Sequence, residues 1–325
     1  MSRPPSFVPP PGTRALRLST ARGDFAAIAS PAVTGHTKGT ALLLPGFTGS
    51  KEDFIALHTP LAAAGYRTVA VDGRGQFESD GPRDDETPYA QEQLARDVIA
   101  QATAVSGAFA DDTFGEGAFA DGSFAGGTFA GDTFAGGPVH LLGHSLGGLV
   151  ARAAVLLDVA PFRSLTLMAS GPAQISPSQQ ERVKLLRDAL TVMDMAQVWA
   201  AIQSMEPPPP EDTASGAEVP GLDQGLDDAD DLRRRWLLTS PSQLIVTGRQ
   251  LCVEPDRVGE LAALPLPKHV ISGERDDTWP LPLLDDMAVR LGARRTVVRG
   301  AEHSPNTDRP QETAAALAAF WDTVD

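Results

Sequence analysis

The stretch Pro138-Val-His-Leu-Leu-Gly143-His144-Ser145-Leu146-Gly147-Gly148-Leu149-Val150 decides the reading of this chain. Its short apolar run predicts a buried strand, and Leu149, Val150, Ala153, Ala154 and Leu157 then recur at helical spacing. Between the two stands Gly-His-Ser-Leu-Gly, the G-x-S-x-G pattern of a sharp strand-to-helix turn with a serine at its tip. So tight a turn strains the serine backbone and leaves no room for a Cβ two residues to either side, which Gly143 and Gly147 provide. The turn presents the Ser145 hydroxyl at the edge of a sheet, where a substrate carbonyl can reach it.

A serine is a weak nucleophile unless a base stands beside it, and on such turns an acid and then a histidine follow in chain order. Lys268-His-Val-Ile-Ser-Gly273-Glu274-Arg275-Asp276-Asp277 reads as a strand ending in an acidic turn. The run Arg294-Arg-Thr-Val-Val-Arg-Gly300-Ala-Glu302-His303-Ser304-Pro305 reads as the next strand, with His303 in the loop beyond it. Each candidate lies just past the carboxyl end of a predicted strand, and in an open parallel sheet those ends converge on one crevice. Asp276, Asp277 and Glu274 all stand in the acidic turn.

With these segments in place the chain resembles the α/β-hydrolase family, and the resemblance covers nearly all of it outside two insertions. Its further parts are Leu43-Leu44-Pro45-Gly46-Phe47-Thr48-Gly49-Ser50, Asp72-Gly-Arg74-Gly75-Gln-Phe-Glu-Ser79, and His303-Ser-Pro305-Asn running to Arg309-Pro310. The resemblance implies a mainly parallel central sheet with helices on both faces and a helical cap. It implies a serine hydrolase that cleaves an ester-like bond through an acyl-enzyme, and the apolar side chains of the second insertion, named below, would suit a small, apolar substrate. His303 would take the Ser145 proton and Asp276, at the family's Gly-x-x-Asp spacing, would orient the imidazole. The oxyanion would be held by the backbone N–H groups of Leu146 and Phe47.

Two positions depart from the family pattern. Pro45-Gly46 replaces the usual His-Gly, and Phe77 occupies a site where a second glycine is usual. The same three residues would also serve an acyltransferase or a cofactor-free perhydrolase, in which an alcohol, thiol or peroxide replaces water. A ligand-binding protein on a hydrolase scaffold is a third reading, since fold alone does not fix function.

Length and composition agree with the hydrolase reading. The chain has 325 residues, 42% of them apolar, with 27 basic and 42 acidic side chains giving a formal charge of −15. Such a surface repels phosphates and anionic lipid, which argues against nucleic acid and membrane as partners. No stretch reaches the ~18 apolar residues of a membrane span, and the amino-terminal Met-Ser-Arg-Pro-Pro-Ser has no apolar core of a signal peptide. One cysteine, Cys252, permits no internal disulfide and suits a reducing cytoplasm. No His/Cys/Asp cluster has metal-ligand spacing, so neither metal nor cofactor is expected.

Along the chain, residues 1–12 read as an extended Pro-rich arm. Residues 13–172 read as the first part of the core: a hairpin (13–19 and 25–29), strands at 40–44, 67–71 and 164–168, and helices at 53–64 and 89–105. Within it, 107–137 carries Phe109, Phe114, Phe119, Phe124, Phe129 and Phe134 in a five-residue period that fits neither helix nor strand, and reads as a low-complexity insertion leaving the sheet at the edge opposite Ser145. Residues 173–265 read as a second insertion, which the resemblance makes a cap, with helices at 179–190, 194–205, 232–238 and 242–250 and an acidic loop over 211–231. Met193, Met195 and Trp199 (with Met205) are its candidate pocket residues. Residues 266–325 complete the core with helices at 282–291 and 309–324.

Overall fold

Leu42 and Leu44 pack on one side of their strand and Ala41 and Leu43 on the other, so this six-residue segment is buried on both faces. The same alternation splits Leu141 from Leu142 and Val270 from Ile271. It is the mark of central strands covered on both sides by helices. In the computed structural model, which describes residues 3–33, 37–108, 137–205 and 228–324, these strands form one eight-stranded sheet.

The strands are β1 (Arg14–Thr20), β2 (Gly23–Ser30), β3 (Gly39–Leu44), β4 (Tyr66–Val71), β5 (Val139–His144), β6 (Phe162–Met168), β7 (Lys268–Gly273) and β8 (Arg294–Val298). Their order across the sheet is β1-β2-β4-β3-β5-β6-β7-β8. β1 and β2 form the antiparallel hairpin at one edge, β2 runs antiparallel to β4, and every remaining pair is parallel. The chain steps from β3 outward to β4 and then back past β3 to β5. Neighbouring strands connected in opposite directions leave a crevice at their carboxyl ends, and Ser145 follows β5 at that point.

One face is covered by α2 (Gln91–Ala108), α3 (Leu146–Leu157) and α9 (Leu281–Leu291), the other by α1 (Ile55–Ala63) and α11 (Pro310–Trp321). The helix expected from residue 53 begins instead as a tight turn, Lys51–Phe54, because Asp53 and Ser50 close a capping box there before α1 starts. Short helices α8 (Val258–Ala262) and α10 (Pro305–Asp308) were not expected from the periodicity. Between β6 and β7 rise α4 (Pro177–Leu190), α5 (Met195–Met205), α6 (Asp228–Leu238) and α7 (Pro241–Val253). α6 begins inside the stretch expected as an acidic loop, because Leu232 and Trp236, one turn apart, bury themselves in a cap cluster with Val198 and Trp199.

The cap is rooted in the core by buried charge. Arg152 of α3 donates to the Gly171 and Pro172 carbonyls at the cap's entry and to Glu254 at its exit, the last at 2.6 Å. Gln91 donates to both oxygens of the same carboxylate. The Phe-repeat insertion lies almost wholly outside the described residues. Its flanks meet where the Ser106 hydroxyl donates to the Gly137 carbonyl at 2.9 Å, at the amino end of β5 and therefore at the edge away from Ser145. Among the described residues no helix is long and apolar enough to cross a membrane.

Candidate active site

β5 carries the chain to the sheet's carboxyl edge, and α3 starts one residue after Ser145. Ser145 itself has φ 54° and ψ −119°, a conformation that costs a non-glycine residue on the order of 1–3 kcal/mol. It is held there by its own N–H, which donates to the Met168 carbonyl at 2.9 Å. A Cβ on Gly147 would lie 2.5 Å from the carbonyl oxygens of Leu44 and Pro45, and one on Gly143 would run into the Gly147 backbone. Only glycine fits at either position, as the sequence predicts.

The loops after β5, β7 and β8 bring three expected residues into one hydrogen-bonded chain. The Ser145 Oγ lies 3.1 Å from His303 Nε2. His303 Nδ1 lies 3.0 Å from each carboxylate oxygen of Asp276. These partners assign the tautomer: Nδ1–H donates to the carboxylate and Nε2 accepts from the hydroxyl. The Asp276 side chain is fully buried while that of His303 keeps 27% of its surface exposed. Asp276 Oδ1 also accepts the backbone N–H groups of Thr278 at 2.8 Å and Trp279 at 3.1 Å, which fixes the carboxylate plane.

The other acids of that turn point elsewhere. The Asp277 carboxylate is two-thirds exposed and takes a hydrogen bond from Gln179 of α4. Glu274 is exposed.

Phe47 and Leu146 supply the two N–H groups singled out from the sequence. Neither donates to a protein acceptor among the described residues. The loop bearing Phe47 lies directly over the serine: a Cβ on Gly46 would come within 3.1 Å of Ser145 Cβ. A partnerless N–H beside a buried serine is costly in a folded protein, and both groups can donate to a negatively charged oxygen placed between them.

Two residues matter more here than the sequence suggested. His144, the residue before the serine, donates from Nε2 to the His303 carbonyl at 2.9 Å. Burial, reinforced by the neighbouring His303, pushes its pKa down to about 4, so it stays neutral. Trp279 is fully buried, and its indole N–H donates to the Ala173 carbonyl at 2.8 Å, tying the Asp276 turn to the root of the cap. A signal for Trp279 existed in its place three residues after Asp276, but nothing in sequence distance reveals its partner 106 positions away.

The remaining described histidines belong to the core: His58 bonds Thr68, His140 bonds Ser164 and His269 bonds Thr296. Of the pocket candidates, Met195 and Trp199 are buried in the cap cluster and Met193 packs against it, as does Phe47 from below. Met205, by contrast, is exposed at the end of α5. Among the described residues no three His, Cys, Asp or Glu side chains stand where they could share a metal ion.

Comparison with known proteins places this arrangement. Residues 41–316 match the model of an alpha/beta hydrolase family. A pimeloyl-[acyl-carrier protein] methyl ester esterase of Aeromonas hydrophila is 30% identical over 194 residues, covering 56% of this chain and 69% of the relative. Among solved structures, a thermophilic esterase from Thermogutta terrifontis superimposes with a TM-score of 0.64 at 18% identity, over 96% of this chain and 99% of that one. A hydrolase from Pseudomonas aeruginosa does so with a TM-score of 0.63 at 20% identity, over 94% and 98%. At such identities the structures speak for the fold, and the sequence match carries the lineage. The chain belongs to the alpha/beta hydrolase family.

Proposed function

We propose that this hydrolase is a serine esterase with Ser145 as nucleophile, His303 as general base and acid, and Asp276 as the residue that orients the imidazole. The single observation that carries the reading is the unbroken chain from Ser145 Oγ through His303 to the buried Asp276 carboxylate. Ser145 Oγ attacks the ester carbonyl carbon as its proton passes to His303 Nε2. The resulting oxyanion accepts from the N–H groups of Phe47 and Leu146. Collapse breaks the bond to the alcohol oxygen, which leaves with the proton held by His303. Water then attacks the acyl-enzyme by the same route and releases the acid and free Ser145.

The preferred substrate is a carboxylic ester with an apolar acyl group. The acyl group rests against Phe47 and the underside of the cap, where Met193, Met195 and Trp199 gather. The curated relatives in Aeromonas act, by name, on a methyl ester, which agrees with an ester carbonyl as the reacting group. A chain carrying a net charge of −15 has no electrostatic reason to bind a polyphosphate or nucleic acid.

The test is a panel of p-nitrophenyl esters of increasing acyl length, a lactone and a thioester, run on the parent and on Ser145→Ala. Turnover of esters, a mass increment of one acyl group after rapid quenching, and loss of both in Ser145→Ala are expected. Turnover that survives in Ser145→Ala contradicts the proposal.

A further inference from the structure

Arg235 stands on a cap helix in a run of three arginines, a residue type mostly exposed in folded proteins. Yet its side chain is 1% exposed, and its Nη1 donates to Asp53 Oδ1 at 3.0 Å. Asp53 is equally buried and belongs to the core. Its other carboxylate oxygen accepts the Ser50 N–H and fills the space that a Cβ on Gly49 would need, at the end of the loop that carries Phe47. The Asp53 backbone carbonyl accepts from the Asn306 amide at 2.7 Å, three residues beyond His303. One aspartate therefore touches the oxyanion loop by its side chain and the His303 loop by its backbone, and a cap guanidinium sits on it.

The amino-terminal arm covers this contact. The Phe7 ring lies 5.7 Å from the Arg235 guanidinium and packs on the same cap cluster as Phe47. Its edge meets Phe77 at 6.3 Å with the rings at 84°. Phe77, at the position where the family pattern has glycine, adopts φ 38° and lies between Lys51 at 4.6 Å and Arg234 at 5.2 Å. Arm, cap and core thus meet around one dry ion pair. Burial raises the Coulomb energy of such a pair and removes it from salt screening.

We propose that Arg235 is a positioning residue for the reaction, latching the cap to Asp53 so that the Phe47 and His303 loops hold their places about Ser145, and that Phe7 is the cover that keeps the latch dry. The proposal rests on Ser145 as the reacting centre. It assigns the arm a place in the working site rather than that of a loose extension. A closed cap and a formed oxyanion loop become one state.

The experiment compares the parent, Arg235→Met, Arg235→Lys and Phe7→Ala. Its first readout is p-nitrophenyl acetate turnover, because so short an acyl group makes the least use of the cap, and the second is the rate of fluorophosphonate labelling at Ser145. Arg235→Met should lower kcat and the labelling rate about tenfold or more with KM little changed, as expected when reacting groups are held out of place. Arg235→Lys should recover part of the loss. Phe7→Ala should make the rate fall with added salt, while the parent stays flat, since water now screens the pair. Hydrogen exchange of segments 45–54 and 299–306 should quicken together in Arg235→Met and Phe7→Ala.

Unchanged acetate turnover in a folded Arg235→Met, or unchanged exchange of both segments, overturns the latch. If Arg235→Met does not fold, the salt dependence and exchange of Phe7→Ala decide alone. A parent that is not labelled at Ser145 defeats the esterase reading, and the exchange result still judges the latch.

Discussion

Replacing Asp276 by asparagine alters one atom's chemistry and leaves the side-chain shape alone. In the parent, Asp276 Oδ1 accepts N–H groups from Thr278 and Trp279 while both oxygens stand 3.0 Å from His303 Nδ1. The amide of Asp276→Asn must keep its oxygen on the two backbone donors, because its nitrogen there would face them hydrogen to hydrogen. That places the NH2 group against Nδ1. A ring with Nδ1–H would then meet a donor, so the imidazole turns to the other tautomer, with the proton on Nε2, and can no longer take the Ser145 proton. The wrong tautomer in an otherwise intact serine site costs on the order of 10⁴ in kcat, or about 5 kcal/mol of transition-state stabilisation. The assay is p-nitrophenyl ester turnover with thermal melts in parallel, on Asp276→Asn and on Asp277→Asn. The second variant should match the parent, since that carboxylate is two-thirds exposed and engages Gln179. A folded Asp276→Asn within tenfold of the parent refutes the reasoning.

Three further outcomes follow from the same geometry. Gly147→Ala puts a methyl group 2.5 Å from the Leu44 and Pro45 carbonyl oxygens, so the elbow must shift, and turnover should drop about a hundredfold; parent-like turnover would show that the contact relaxes freely. Glu254→Gln leaves the buried Arg152 guanidinium without its charge partner and should cost about 3–5 kcal/mol in urea melts, whereas Arg152→Met combined with Glu254→Leu should recover most of it. His58 is buried with its pKa lowered from 6.5 to about 4, so between those values the unfolded chain holds a proton that the folded chain refuses. Its contribution is complete above pH 6.5 and is lost as pH falls toward 4, on the order of 3 kcal/mol in all. Unfolding free energies of the parent should therefore decline more steeply from pH 7 to 4.5 than those of His58→Gln, and parallel curves would contradict this.

The elbow was legible because its physics leaves little choice. A serine forced to φ 54° needs glycine on both sides, and that need is written in five consecutive residues. The parallel sheet was legible because its central strands, buried on both faces, are near-continuous apolar runs. Asp276 could be preferred over Asp277 by spacing alone, but only the Thr278 and Trp279 donors explain why one carboxylate turns inward. What the sequence hides is partnership across distance. Arg233, Arg234 and Arg235 look alike, yet one is buried on Asp53, 182 positions away, because α6 happens to lie against the turn that follows the Phe47 loop. Phe7 sits in a proline-rich arm whose composition says nothing of docking, and Phe77 is an anomaly in the motif whose use appears only where arm and cap meet. Tertiary packing, too, turned part of an acidic stretch into the start of α6, overriding a composition that favours a loop.

The central claim is that Ser145 is an activated nucleophile beside a formed oxyanion site. The most direct measurement is treatment of the purified chain with a fluorophosphonate, followed by peptide mapping by mass spectrometry. The reagent demands an activated serine and oxyanion donors without demanding the right substrate. The account predicts one covalent adduct on Ser145 in the parent, and none in His303→Ala at the same exposure. A folded parent that takes no label, or takes it on another residue, contradicts it.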